Sequence, residues 1–214
     1  MSVRVAIIDY GAGNLRSIRR ALEAADATVT VTSDAVEVRE ADAVVFPGVG
    51  AAGAAMDRLD ELGLVPVCED VVVAGKPFLG ICLGMQLLFE DQEEGKTRGL
   101  GLLRGSVRSL PDSVKVPQIG WNQVRWLQDG AGYAANEGGD FYFVHSYVVV
   151  PDDPADIVAV TRYGTVFPSI VRRENVWGTQ FHPEKSGPAG LRMIAGWVDA
   201  VRLGQELQLE RVPA

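Results

Sequence analysis

A Gly-Ile-Cys-Leu-Gly segment, Gly80–Gly84, has the arrangement of a nucleophile elbow. It lies between an apolar, strand-like run and a helical pattern, and its two glycines permit the sharp turn that holds a reactive atom above a sheet. The beginning of a helix favours the anionic form of a thiol, and the N–H of Leu83 would face the oxyanion formed during attack. The segment therefore predicts that Cys82 is a nucleophile. The alternative is a small cysteine buried on a tight turn.

A thiol nucleophile needs a base, and one of the two histidines lies in a His-Pro-Glu segment. Pro183 favours an extended backbone at His182, and residues two apart in an extended segment face the same side. The carboxylate of Glu184 can then bind one ring nitrogen of His182 while the other nitrogen faces the thiol. The sequence therefore predicts a catalytic triad of Cys82, His182 and Glu184, with a purely structural histidine as the alternative.

Glycine-containing loops follow two of the apolar runs. The Pro47–Gly50 loop is expected at the carboxyl edge of a parallel sheet, where ligands bind. Its glycines either make a turn only or free backbone N–H groups for a developing negative charge. The Gly11–Arg16 loop begins like a dinucleotide fingerprint, but Arg16 stands where a third glycine or alanine should allow close helix packing. No nucleotide cofactor is predicted from it.

The other histidine and the other cysteine carry weaker signals. His145 lies in the aromatic segment Phe141–Tyr147, where it could be a polar group satisfied at a strand end or a member of the site. Both interpretations stay open. Cys68 lies in an apolar run beside Val67 and is interpreted as a packing residue.

Composition argues against several classes of function. The chain has 214 residues, of which 47% are hydrophobic and 22% charged, with a formal net charge of −8. A chain of this length can bury about 70% of its unfolded surface in one core, so one domain over residues 1–214 is predicted. The basic residues are scattered, which argues against nucleic acid and anionic membranes as partners. The apolar runs are too short for a membrane span, and neither a signal peptide nor a secreted disulfide framework is indicated, so a cytoplasmic location is expected.

Strand and helix signals alternate in the first half of the chain. Short apolar runs predict strands at Val3–Ile8, Thr28–Thr32, Ala43–Phe46 and Pro77–Ile81. Residues at helical spacing follow the first of these runs from Leu15 to Ala25, and a second helical pattern, Met85, Leu88 and Phe89, follows the elbow. Such alternation predicts a parallel sheet with helices on both faces.

The second half offers strands with little helical periodicity. Its strand-like segments are Ser106–Ser109, Val124–Trp126, Phe141–Val150, Ile157–Tyr163, Val166–Val171 and Val176–Phe181. A helical stripe over Ala189–Leu203 follows them. The sequence therefore predicts a three-layer α/β fold, in which an antiparallel extension adjoins a mainly parallel central sheet.

The chain resembles the class I glutamine amidotransferases, and more closely the glutaminase subunits of imidazole glycerol phosphate synthase in histidine biosynthesis. Six motifs spread over nearly the whole chain carry the resemblance: Tyr10–Asn14, Pro47–Gly50, Gly80–Phe89, Gly120–Asn122, Phe141–Tyr147 and Gln180–Lys185. The elbow and His-Pro-Glu belong to the whole class. Pro-Gly-Val-Gly, Met85 and Gly-Trp-Asn point to the subfamily.

The resemblance implies hydrolysis of L-glutamine to glutamate and ammonia through a thioester on Cys82, without a cofactor or metal. It implies that His182 transfers protons and that Glu184 orients its ring. The oxyanion hole would consist of the Leu83 N–H and an N–H of the Val49–Gly50 peptide, which can reorient in the family when the partner is loaded. The resemblance and the aromatic segment together assign the substrate site to Gln86, Glu94, His145, Ser146 and Tyr147. The acidic run around Glu94 would otherwise be read as a solvated face.

The resemblance also implies a partner, because ammonia released into water is largely protonated and is no longer nucleophilic. The partner would be a (β/α)₈-barrel cyclase subunit, in a heterodimer, that makes imidazole glycerol phosphate and an aminoimidazole carboxamide ribotide. Positions at or near the interface in the family match Asn14, Gln118, Trp121, Asn122, Tyr142 and Lys185. Trp121 is either an interface anchor or a core residue.

Two alternative functions stay open from the sequence. The same glutaminase chemistry could serve another synthase, such as one for anthranilate or pyridoxal phosphate. The chain could also be a non-catalytic binding module, or a different cysteine hydrolase, on the same fold. The residues Gln118 and Ala12 occupy positions where relatives vary, which affects docking more than chemistry.

Overall fold

The structure of the chain is a computed structural model that describes residues 2–209. Nine strands form one sheet, in the order β2-β1-β3-β4-β12-β11-β10-β7-β8. The first five strands in this order are parallel, and their bounds are β1 (Val3–Ile8), β2 (Ala27–Thr32), β3 (Ala43–Gly48), β4 (Phe78–Cys82) and β12 (Val176–Thr179). The predicted parallel sheet therefore occupies one half of the large sheet.

The remaining four strands of the large sheet are antiparallel. They are β7 (Gln118–Trp126), β8 (Gly138–His145), β10 (Ile157–Tyr163) and β11 (Thr165–Arg173). A separate three-stranded sheet packs nearby, with the order β5 (Phe89–Gln92), β6 (Leu103–Ser109) and β9 (Tyr147–Pro151). The antiparallel extension that the sequence predicts is thus built from most of the second half of the chain.

Helices cover both faces of the parallel strands. They are α1 (Leu15–Glu23), α2 (Ala35–Glu40), α3 (Ala52–Glu61), α4 (Val65–Val73), α5 (Leu83–Gln86) and α6 (Gly187–Leu209). Successive residues of β1 point to opposite faces, so Val5 and Ile7 pack in the core under α1 and α6, while Ala6 and Ile8 pack in the core under α2, α3 and α4. Because both faces of these strands are buried, their sequences are continuous apolar runs.

Two local predictions differ from the structure. The helix after the elbow ends at Gln86, and Phe89 begins β5 instead of continuing the helix. The predicted strand Phe141–Val150 is interrupted at Ser146, because β8 pairs with β7 in the large sheet while β9 pairs with β6 in the small one. Apolar residues on both sides of each break satisfy either pattern, so periodicity alone could not place the breaks.

Among the described residues, no helix combines the length and hydropathy needed to cross a membrane.

Candidate active site

Cys82 ends β4, and α5 begins at the next residue. Its backbone has φ 57° and ψ −111°, a strained conformation for a residue with a side chain. The flanking glycines are required by close backbone contacts: a Cβ on Gly80 would lie 2.6 Å from the Gly84 carbonyl oxygen, and a Cβ on Gly84 would lie 1.9 Å from that of Phe46. The predicted elbow is present, but α5 has a single turn. Only a few backbone N–H groups are therefore available at its N-terminus to favour the anionic form of the thiol.

His182 follows β12, which ends at Thr179, and is fixed by its neighbours. Its backbone N–H donates to the carbonyl of Tyr142 at 2.9 Å, and the following residues, Pro183–Lys185, form a 3₁₀ turn. This turn brings the Glu184 carboxylate back to the ring, where Oε1 lies 2.9 Å from His182 Nδ1. The structure therefore brings His182 and Glu184 together as the sequence predicts.

The two ring nitrogens of His182 have different surroundings. Burial alone lowers the pKa of His182, but interactions with Cys82 and Glu184 outweigh it and raise the pKa to about 9. Nε2 is buried and forms no well-aligned hydrogen bond with any described residue. The thiol thus lies close enough to affect the ring without a completed hydrogen bond.

A cleft of about 270 Å³ lies at the carboxyl edge of the parallel strands, beside Cys82 and His182. The residues that the sequence assigns to the oxyanion hole and the substrate site all line it: Val49, Gly50, Leu83, Gln86, Glu94, His145, Ser146 and Tyr147. Pro117 and Val144 also line it, although nothing in the sequence singled them out. The structure therefore gathers residues from six separate segments around one sulfur atom.

The Val49–Gly50 loop leaves β3 beside the elbow, since Gly48 pairs with Cys82 in the sheet register. Gly50 has φ 95°, in the region that favours glycine, and a Cβ there would meet nothing within 4 Å. Both loop residues are exposed. The loop is thus held at its β3 end and open to solvent at Gly50.

Glu94 is half-buried and does not belong to a solvated face. Its Oε2 accepts from the backbone N–H of Ala52 at 2.8 Å, at the first residue of α3. No side chain caps this helix from the Ala51 position, so the carboxylate of Glu94 takes that place. The Glu94 carboxylate therefore lies both in the cleft wall and at the N-terminus of α3.

His145 is buried, and both of its ring nitrogens contact protein atoms. Nδ1 lies 2.8 Å from the Tyr147 carbonyl oxygen, and Nε2 lies 3.0 Å from the side-chain amide of Gln118. Burial lowers the pKa of His145 to about 4, so its ring is neutral near pH 7. These contacts fit the interpretation as a polar group satisfied at a strand end, while its ring still forms part of the cleft wall.

Gln180 lies in the motif that contains His182, but its role could not be predicted from the sequence. Its side chain is fully buried and reaches both Gln86 and Cys82. A buried amide two residues before a base is a weak signal in sequence, because nothing there indicates which polar groups it satisfies. The carbonyl oxygen of Val144, 3.6 Å from Cys82 Sγ, was missed for the same reason.

The predicted interface residues differ in their exposure. Trp121 is 59% exposed, so it is not a core residue, and its ring packs against the edge of Tyr142 at 6.1 Å between centroids. Asn14 and Lys185 are exposed, and Asn122 is half-buried. Gln118 is buried against His145 and does not lie on the surface.

Cys68 is buried in α4, and burial raises the pKa of its thiol to about 12, as expected for a packing residue. Within the described part of the chain, no group of three or more His, Cys, Asp or Glu side chains could hold a metal ion.

The geometry agrees with comparisons to known proteins. The family model described as glutamine amidotransferase class-I matches residues 6–200. The chain is 48% identical over 200 residues to the imidazole glycerol phosphate synthase subunit HisH of Moorella thermoacetica, a match covering 92% of this chain and 95% of that protein. It is 50% identical over 195 residues to the same subunit of Aquifex aeolicus, covering 90% and 94%.

Solved structures support the fold. PurLQS from Thermotoga maritima superposes with a TM-score of 0.74 at 18% identity, over 94% of this chain and 99% of that one. The crystal structure of a glutamine amidotransferase superposes with a TM-score of 0.71 at 19% identity, over 92% and 98%. The predicted α/β fold class is thereby confirmed. This chain is an enzyme of the class-I glutamine amidotransferase family and belongs, within it, to the HisH subunits of imidazole glycerol phosphate synthase.

Proposed function

We propose that the chain hydrolyses L-glutamine to glutamate and ammonia at Cys82 and passes the ammonia to a (β/α)₈-barrel cyclase subunit. The observation that carries the proposal is the cleft that Cys82 and His182 share, with Glu184 bound to the far side of the imidazole. The HisH relatives support the biosynthetic context, since they are subunits of imidazole glycerol phosphate synthase. The cyclase would use the ammonia to make imidazole glycerol phosphate and an aminoimidazole carboxamide ribotide.

In the first half of the proposed reaction, the thiol proton moves to His182, whose raised pKa favours the imidazolium. The sulfur then attacks the side-chain carbonyl carbon of glutamine and forms a tetrahedral oxyanion. When the C–N bond breaks, His182 gives its proton to the leaving nitrogen, and ammonia departs from a γ-glutamyl thioester.

In the second half, neutral His182 removes a proton from water as the water oxygen attacks the thioester carbonyl. Collapse of the second tetrahedral intermediate breaks the C–S bond, releases glutamate and restores the thiol. Glu184 keeps the ring in one tautomer, with Nδ1–H bound to the carboxylate and Nε2 facing the reaction.

The oxyanion of both steps needs hydrogen-bond donors. We assign one to the N–H of Leu83, which α5 leaves free at its first residue. A second would come from the Val49–Gly50 peptide. Because the loop is exposed and a Cβ on Gly50 would meet nothing within 4 Å, we expect the docked partner to fix this peptide in its donating orientation.

The amino-acid end of glutamine would lie toward Gln86 and Glu94. Both hydrogens of the Gln86 amide are used, by the Tyr147 carbonyl at 3.0 Å and by Gln180 at 3.1 Å, so its oxygen is the part left to bind an ammonium group. The Glu94 carboxylate supplies the opposite charge. Ser146 and Tyr147 line the cleft beside them.

The surface next to the cleft supports the proposed partner. Trp121 and Ile119 are 59% and 63% exposed on β7, and the neighbouring residue Pro117 lines the cleft. An exposed aromatic beside another apolar side chain is typical of an interface anchor. A cyclase docked here would cover the cleft, so that ammonia need not enter water. Both cysteines are free, which is typical of a reducing compartment, and we propose a cytoplasmic location.

The direct test compares Cys82→Ala with the matched variant Cys68→Ala. We expect Cys82→Ala to abolish ammonia release from glutamine while it retains fold and partner binding, and Cys68→Ala to keep the activity. Retained hydrolysis in Cys82→Ala would overturn the assignment. Turnover should rise when the cyclase and its ligand are added, whereas co-purification with a different synthase would overturn the proposed partner.

A further inference from the structure

Gln180 is a fully buried polar side chain with no part in the reaction above. Burying a primary amide is costly unless its hydrogen bonds are made within the protein. Gln180 follows β12, and its backbone N–H is already used by the carbonyl of Ser169 at 3.0 Å. The side-chain amide must therefore find its hydrogen-bond partners among other side chains or carbonyls inside the protein.

The side-chain contacts form a short series that ends at the nucleophile. Gln86 Nε2 lies 3.0 Å from the Tyr147 carbonyl oxygen and 3.1 Å from the Gln180 amide, which in turn reaches Cys82 Sγ at 3.9 Å. A backbone carbonyl can only accept, so the nitrogen of Gln86 must face Tyr147. The same nitrogen contacts Gln180, which must then present its oxygen to Gln86. The Tyr147 carbonyl thus fixes both amides, and the NH₂ group of Gln180 faces the sulfur.

Besides the titratable His182 ring in the same cleft, two polar groups contact the sulfur, and they have opposite effects on its charge. The Val144 carbonyl oxygen at 3.6 Å can accept from the thiol S–H but repels a thiolate. The Gln180 N–H points a positive end of a dipole at the sulfur and so favours the thiolate. The Gln180 side chain is fully buried, so water cannot easily take its place beside the sulfur.

We propose that Gln180 is a positioning residue for the nucleophile, whose side-chain N–H stabilises the Cys82 thiolate and offsets the repulsion from the Val144 carbonyl. The proposal rests on the proposed function of Cys82. Gln86 holds the Gln180 amide and also lines the substrate cleft. The binding of the amino-acid end of glutamine and the stabilisation of the thiolate therefore depend on the same side chain.

The test is the pH dependence of Cys82 alkylation by iodoacetamide in the isolated full-length chain, with mass spectrometry of the peptides to separate Cys82 from Cys68. Gln180→Met keeps the size of the side chain but removes the donor. We expect alkylation at pH 7 to slow by about threefold to tenfold, and the pH midpoint to rise accordingly. Gln180→Glu, which places a carboxylate by the sulfur, should raise the midpoint further.

Gln128→Met is the matched control, because the Gln128 amide donates hydrogen bonds within the protein, to the carbonyls of Ala155 and Ile157, but lies outside the cleft. Its alkylation profile should equal that of the unmodified chain. An unchanged midpoint in a folded Gln180→Met or Gln180→Glu chain would overturn the proposal.

A measurement on the unmodified chain covers the case in which both variants fail to fold. The NMR signals of the Gln180 side-chain NH₂ should shift with pH at the same midpoint as Cys82 alkylation, and signals that stay constant through that midpoint would overturn the proposal. Alkylation does not require glutamine turnover. An unshifted Gln180 variant together with an inactive Cys82→Ala would thus reject this inference alone, whereas hydrolysis by Cys82→Ala would reject the proposed function.

Discussion

The imidazole of His182 and the carboxylate of Glu184 form an inaccessible pair, with 2.9 Å between Nδ1 and Oε1 and side chains that are 4% and 5% exposed. Burial lowers the pKa of His182, but its interactions with Cys82 and Glu184 raise the value to about 9. This raised pKa suits the imidazole to accept the proton that Cys82 gives up near pH 7.

This pair predicts how stability changes at alkaline pH. A histidine whose folded pKa is about 9 and whose unfolded pKa is about 6.5 stabilises the fold fully below pH 6.5 and loses that contribution as pH rises through 9. The loss is about 3 kcal/mol in unfolding free energy if the whole shift is counted. Glu184→Gln should reduce this alkaline loss in denaturation measurements between pH 6.5 and 9. An identical pH slope in the variant would contradict the account.

His145 predicts the opposite behaviour at acid pH. Its folded pKa of about 4 lies below the unfolded value of 6.5, so the unfolded chain binds the proton more tightly and stability falls as pH drops from 6.5 to 4. His145→Asn keeps a donor near the Nδ1 position but cannot titrate. The melting temperature of this variant should fall less on acidification than that of the parent chain. An equal fall in melting temperature for the two chains would show that the His145 ring is not held neutral in the folded protein.

Gly84 should be intolerant of any side chain. A Cβ there would lie 1.9 Å from the Phe46 carbonyl oxygen, and both groups belong to backbone that cannot move without displacing β3 or the elbow. Gly84→Ala should lower the melting temperature by about 5–15 °C. Gly53→Ala, in α3 with nothing within 4 Å of the new Cβ, is the matched control and should be neutral or stabilising. Equal melting temperatures for the two variants would contradict the close contact.

Glu94 offers a way to separate charge from helix capping. Glu94→Gln retains an oxygen for the Ala52 N–H but removes the negative charge, so the KM for glutamine should rise by about 10- to 100-fold with little change in melting temperature. Glu94→Ala should lose the cap as well and melt earlier. The neighbouring Glu93→Gln, whose carboxylate bonds Ser109 instead, should leave KM unchanged. Equal KM values for Glu94→Gln and Glu93→Gln would exclude the proposed role.

Trp121 should matter for association and not for folding. Because the side chain is 59% exposed, Trp121→Ala should change the unfolding free energy of the isolated chain by less than about 0.5 kcal/mol. The same change should weaken binding to the cyclase by about 2 kcal/mol, or roughly 30-fold in Kd. Val73→Ala, at an 88% exposed position on α4, is the control for binding measured by calorimetry. Undiminished affinity in Trp121→Ala would place the partner elsewhere.

The parts of the site that depend on local chain geometry could be predicted from the sequence. Glycines on both sides of Cys82 indicate the turn, and Pro183 between His182 and Glu184 indicates the extended backbone that pairs them. Each signal lies within a few residues, and each has a steric cause. Resemblance to a family supplied the substrate residues, since nothing local links Glu94 to Tyr147.

The parts that depend on long-range packing could not be predicted. Gln180 contacts Gln86 and Cys82 across 94 and 98 residues of sequence, so its role depends on which strands are neighbours. The break at Ser146 depends on two sheets competing for one apolar segment. The burial of Gln118 depends on His145 occupying the opposite strand, and an isolated polar residue gives no sign of that partner.

The most direct test of the central claim is the reaction of the chain with a glutamine analogue that carries an electrophile in place of the side-chain amide, followed by peptide mapping. We expect one covalent label, on Cys82, that excess glutamine prevents and that Cys82→Ala abolishes. A label on Cys68, or none in a folded chain bound to its cyclase, would contradict it.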